Sequence, residues 1–140
     1  MKILLAVDGS AHTKHMLAYL AAHAELFGTV GGYTAVTVVP SLPPHVARFL
    51  PQGVENDYYR DEAEAVLRPV RAFAAQQGWP FEAKHAVGQP GDAIAEMAEA
   101  GKHDLVVMGS HGHGAVAGML MGSVATRVLA RCKTPVLLIR

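Results

Sequence analysis

The chain has 140 residues, 51% apolar and 17% charged, so one domain with a substantial aliphatic core is the expectation. Its 12 Lys and Arg balance 12 Asp and Glu, which excludes the long-range positive field that gathers nucleic acid or an anionic membrane surface. Cys132 is the only cysteine; it excludes an internal disulfide and a multi-cysteine metal site, and it fits a reducing compartment.

Residues 2 to 8, KILLAVD, are an unbroken apolar run that reads as a first strand covered on both faces. The run is too short for a signal peptide and ends in a charge, and no stretch approaches the ~20 apolar residues of a membrane span. A soluble cytoplasmic protein is expected. After Asp8, Gly9 and Ser10, apolar residues at Met16, Leu17, Leu20, Ala24 and Phe27 have helical spacing, with Gly28 as a stop. Residues 33 to 39, YTAVTVV, are β-branched and aromatic and read as a second strand. The segment 40 to 56 is Pro-rich, has no clear periodicity and is expected to be a loop.

Tyr59, Ala63, Val66, Val70 and Phe73 continue a helical stripe, with a kink or restart expected at Pro69. FEAKHAV, 81 to 87, alternates as a third strand. The next helix has Pro90 in its first turn and Gly101 past its end, with Ile94, Met97 and Ala98 on the buried side. DLVVMG, 104 to 109, is a fourth strand, residues 123 to 132 a short helix, and VLLI after Pro135 a fifth strand. Strands alternating with helices imply a parallel sheet with helices on both faces, a doubly wound α/β architecture. Ligands in such sheets bind beyond the carboxyl ends of the strands.

The segment from Met108 to Val124 begins where the fourth strand ends and finishes where a helix starts. Gly109 and Gly112 remove side chains at the turn, while Gly122, Ser123 and Val124 offer backbone N–H groups and a hydroxyl at a helix N-terminus, which suits phosphate. Glycine content alone is equally explained by a tight crossover. What distinguishes this loop is Gly109-x2-Gly112-x9-Gly122-Ser123, with small residues at both ends so that two backbone stretches can close on one ligand.

That spacing resembles the ATP-binding signature of the universal stress protein family, and the likeness extends over the whole chain. ILLAVDGS is similar to the family's first strand and following Asp, Gly88-Gln89-Pro90 to its G-x-P, and MGSHG, GSVA and TPVLLI to its closing elements. The resemblance implies a five-stranded sheet in the order 3-2-1-4-5 and a bound ATP, ADP or AMP. It places Asp8 near ribose and phosphates, Ala6 and Val7 beside the nucleoside, and the Val38 backbone at the adenine edge. Gly109, Gly112, Gly122, Ser123 and Val124 become phosphate positions, with Met108, Ser110 and His111 beside them. It also implies a homodimer through Val136 to Ile139. Without the resemblance, Asp8 reads as a helix cap and Val38 as core.

No P-loop lysine is present, so a triphosphate is expected to arrive with Mg²⁺ or another divalent cation. His111 and His113 are two ligands where zinc takes three or four, and their order is not that of a nucleotidyl transferase. There is no G-x-x-x-x-G-K-[ST], no G-x-G-x-x-G after the first strand, and no carboxylate at His85, Ala86 or Val87 for a receiver domain. No Asp, Glu or Gln lies between Met108 and Val124 to direct a water at a γ-phosphate. The expectation is a nucleotide-dependent signalling or stress-response module with little or no fast turnover. Two alternatives stand beside it: a slow ATPase, and a dimeric interaction protein whose glycine loop is structural.

Overall fold

Backbone geometry in a computed structural model describes residues 1–27, 30–114 and 116–140. Strand β1 (Lys2–Ala6) is followed by α1 (Ala11–Ala22), a 3-10 turn at Ala24–Phe27, β2 (Gly32–Val39) and the short α2 (Pro44–Ala47). Then come α3 (Val54–Gln76), β3 (Phe81–Val87), α4 (Pro90–Ala100), β4 (Leu105–Gly109), α5 (Ser123–Arg131) and β5 (Val136–Ile139). All strand pairs are parallel, in the order β3-β2-β1-β4-β5. The expected sheet and its order are the observed ones.

Strand alternation divides the core. Ile3 and Leu5 of β1 face a cluster with Met16 and Leu20 of α1 and Tyr59, Ala63 and Leu67 of α3. Leu4 faces the other side, among Ile94 and Ala98 of α4 and Ala125 and Val128 of α5. Side chains of Ile3, Leu4, Leu5, Val106 and Val107 are wholly excluded from water, so β1 and β4 form the buried centre of the sheet. Burying one such side chain stabilises by about 1.5–3 kcal/mol.

Several expected boundaries move for identifiable reasons. β1 ends at Ala6 rather than Asp8: Val7 N–H still reaches Val36 O at 2.9 Å, but Asp8 N–H turns away to Thr13 Oγ1. α1 stops at Ala22, and the 3-10 turn carries Phe27 into the core, which prolongs the apolar period beyond the helix. The stop expected at Gly28 lies outside the described residues. The segment 40 to 56 is not wholly loop, because it contains α2 and the first turn of α3, entered through Gly53 at φ +87°.

The helix does not restart at Pro69. α3 runs unbroken through it, since Tyr59, Ala63, Leu67, Val70 and Ala74 form one buried stripe on both sides while Pro69 is exposed. Only the N–H that would reach Ala65 is missing. The buried stripe also passes through Leu67 and Ala74, leaving Val66 and Phe73 at its margin.

Candidate functional site

The sheet order reverses between β1 and β4, whose chains leave in opposite directions toward β2 and β5. Beyond the carboxyl ends of these strands lies a cleft of about 470 Å³, within the range of small-molecule sites. Ala6, Val7, Asp8, Val38, Met108, Gly109, Ser110, His111, Gly112, Gly122, Ser123 and Val124 all line it. The fold thus brings every candidate residue named from the sequence to one cavity. The side built by β2, Pro40 after it and α4 is mainly apolar, with Val36, Val38, Pro40 and Ile94 beside the one hydroxyl of Thr37. The turn after β1, the loop after β4 and the start of α5 make the other side polar.

Asp8 organises the polar side. Its Oδ1 accepts Ser10 N–H at 2.9 Å and Thr13 Oγ1–H at 2.9 Å, and its Oδ2 accepts His113 N–H at 3.3 Å. It therefore ties the β1–α1 turn to the glycine loop, a larger role than a helix cap; the N-cap position of α1 belongs to Ser10. Partial burial works to raise the Asp8 pKa, but the hydrogen bonds from Ser10 and Thr13, with the nearby His113 imidazole, outweigh it and hold the carboxyl below its ordinary value. Asp8 is an anion in the folded protein at neutral pH.

Two histidines fasten the loop. A carbonyl can only accept, so His113 Nε2 carries the hydrogen it donates to Asp8 O at 2.6 Å. His111 Nε2 likewise donates to Met119 O at 2.8 Å, which leaves Nδ1 of the neutral ring to accept from Ser110 Oγ at 3.1 Å. His111 lines the cleft with both ring nitrogens already engaged. Among the described residues no group of three or more His, Cys, Asp or Glu side chains could hold a metal ion.

The glycines permit close approach of backbone segments. A Cβ on Gly112 would overlap Asp8 Oδ2, and one on Gly109 would lie 3.0 Å from both His111 O and His12 Cβ. Gly122 differs from expectation: its N–H is not open to a ligand, because it donates to Ser110 O at 2.7 Å. The first intrahelical bond of α5 runs from Thr126 N–H to Gly122 O at 3.0 Å. The N–H groups of the first turn with no partner among the described residues are therefore those of Ser123, Val124 and Ala125, all residues of the cleft wall. A helix start of this kind attracts anions through its N–H groups and its dipole.

Other lining residues were not evident from spacing. Thr13 sits on α1, and the bonds that tie His113 of the glycine loop to Asp8 were not evident either. Pro90 and Ile94 come from α4, whose start is set by Gly88 at φ +139° and by the Gln89 side chain accepting Asp92 N–H at 3.0 Å. The G-x-P and the stripe position of Ile94 were the available signals for these two. Nothing in the spacing marks Glu62, an exposed carboxylate of α3 at the cleft wall.

The sequence pattern of the universal stress protein family matches residues 1–140. The chain belongs to that family. A universal stress protein of Thermus aquaticus is 37% identical over 140 residues, covering 99% of this chain and 97% of its own length. Two other curated universal stress proteins, from Methanocaldococcus jannaschii and a Synechocystis species, are matched over 50% and 42% of their own lengths. A universal stress protein solved in complex with cAMP superposes with a TM-score of 0.71 at 25% identity, covering 100% of this chain and 97% of that one. One from Archaeoglobus fulgidus, solved with dAMP, shares the fold at 24% identity and a TM-score of 0.70, covering 100% and 98%. No helix among the described residues is long and apolar enough to cross a membrane.

Proposed function

We propose that the cleft binds an adenine nucleotide, and that this cytoplasmic universal stress protein acts as a nucleotide-dependent signalling or stress-response module with little or no fast turnover. One observation carries the reading: the free N–H groups at the start of α5 meet a glycine loop packed on Asp8, beyond the β1 and β4 ends, at the mouth of an apolar slot. The slot beside Val38 and Pro40 suits a purine, and the α5 start suits a phosphate. The likeness to a relative solved with cAMP supports the same class of ligand. ATP enters with Mg²⁺ or another divalent cation, because no Lys or Arg among the lining residues neutralises a triphosphate.

Slow turnover follows from the carboxylates at hand. Asp8 has both oxygens in hydrogen bonds and a lowered pKa, which makes it a weak base. Glu62 is exposed to solvent and is not held toward a reacting water. Anion-exchange separation of the small molecules released on denaturing fresh protein tests the reading. Stoichiometric adenine nucleotide is expected; an empty preparation that also fails to bind added AMP and Mg-ATP would sink it.

A homodimer through β5 is the second reading, favoured by one contrast between the sheet edges. β3 carries Glu82, Lys84 and His85, whereas Val136 to Ile139 bring no charge to the β5 edge. Charged side chains blunt an edge and an apolar edge seeks a partner.

A further inference from the structure

We propose that Glu62 is a specificity-determining residue of the cleft, disfavouring ligands in proportion to their negative charge and so holding metal-free triphosphate out relative to monophosphate. The inference rests on the adenine-nucleotide reading of the same cavity. α3 carries five acidic side chains, and four have partners: Glu55 accepts from Tyr59, Asp57 and Asp61 pair with Arg60, and Glu64 with Arg71. Glu62 has none among the described residues, and it is the one of the five that lines the cleft. One turn further along the same face, Val66 packs beside Gly9, where a Cβ would lie 3.4 Å from its methyl group. That contact presses this face of α3 against the turn that carries Asp8.

Among the described residues the cleft therefore has two carboxylates, Asp8 and Glu62, and neither Lys nor Arg on its walls. The two are not equivalent. Asp8 is consumed by Ser10, Thr13 and His113 and cannot be altered without moving the loop. Glu62 keeps an uncompensated charge at the wall while supporting nothing structural, so its field acts on whatever enters. Against that field the phosphate side offers only uncharged groups, the N–H groups and dipole of α5 and the Ser123 hydroxyl, which saturate with about one phosphoryl group. Each further phosphoryl group adds repulsion without adding a partner, unless a cation travels with it.

The test is titration calorimetry at pH 8 and low ionic strength, with four ligands against wild type, Glu62→Gln and the neighbouring control Asp61→Asn. The ligands are uncharged adenosine, AMP with about two negative charges, free ATP with about four, and Mg-ATP with about two. Coulomb energy scales with ligand charge and is screened over about 10 Å at 0.1 M salt, so E62Q should tighten free ATP by about five- to tenfold. AMP and Mg-ATP should then tighten by about two- to threefold and adenosine not at all, with the ATP gain shrinking as salt is added. Asp61, outside the cleft, should give a smaller change. Equal weakening of all four ligands would mean that Glu62 holds the ribose, selective loss of Mg-ATP that it holds the metal, and either overturns the proposal. So does an unchanged ATP affinity, or a D61N effect as large as that of E62Q. Failure of all four to bind wild type would overturn the adenine-nucleotide reading itself, and this inference with it.

Discussion

Asp8 shows how one side chain serves fold and site together. It closes the β1–α1 turn through Ser10 and Thr13 and anchors the glycine loop through His113. Replacing it with Asn keeps the size but removes the charge and an acceptor, so Asp8→Asn should lower stability at neutral pH by about 1–3 kcal/mol. The sign with pH follows from the lowered pKa: the Asp8 contribution is complete above the unfolded value of about 3.9 and is lost as pH falls through the folded one. Urea titrations at pH 6 and pH 3 should thus show a smaller acid-induced loss in D8N than in wild type. Part of the loss should survive in the variant, because Glu64, hydrogen-bonded to Arg71, and Asp92, hydrogen-bonded to Arg127, are also held low. Equal losses in both proteins would remove Asp8 from the account.

Elements were legible where one period dominated. The apolar runs at 2 to 8, 33 to 39 and 104 to 109 and the final VLLI became strands within two residues of their expected ends. Failures fell where a second force overrode the period. Phe27 continued the helical spacing of α1 but is buried by a 3-10 turn, and Pro69 broke the pattern of α3 but not the helix. Restoring the missing N–H with Pro69→Ala should therefore stabilise the protein by about 1 kcal/mol, read as a higher melting temperature. A lower melting temperature would show that the Pro-shaped backbone is itself required for packing. The site was legible along the loop from Met108 to Val124, where glycine spacing records backbone approach. Thr13 and Glu62 were not, because they reach the cleft through the packing of α1 and α3, and the spacing gave no sign that His113, itself in the loop, bonds Asp8 across 105 residues of chain.

At the scale of the whole molecule, crossing from β1 to β4 leaves a cleft at the sheet's centre and an uncharged strand at its edge. Pro135 and Ile139 carbonyls accept from Val106 and Ser110, so by alternation the backbone groups of Val136 and Leu138 face outward. If β5 pairs with a second copy, the Leu138 amide should exchange slowly at high protein concentration and faster on dilution, in step with dissociation seen by sedimentation. Fast exchange at every concentration would leave the chain a monomer. The central claim, an adenine nucleotide with its phosphate on the α5 N-terminus, is tested most directly at Ser123. Gly122 precedes it in an extended conformation, φ −75° and ψ 164°, which suits a following proline, and the first helical position has no intrahelical N–H bond to lose. Ser123→Pro should leave the unliganded melting temperature unchanged while removing an N–H and a hydroxyl from the phosphate. Calorimetric titration of nucleotide-free wild type and S123P with AMP should show at least about a tenfold loss of affinity in the variant; equal affinities would contradict the claim.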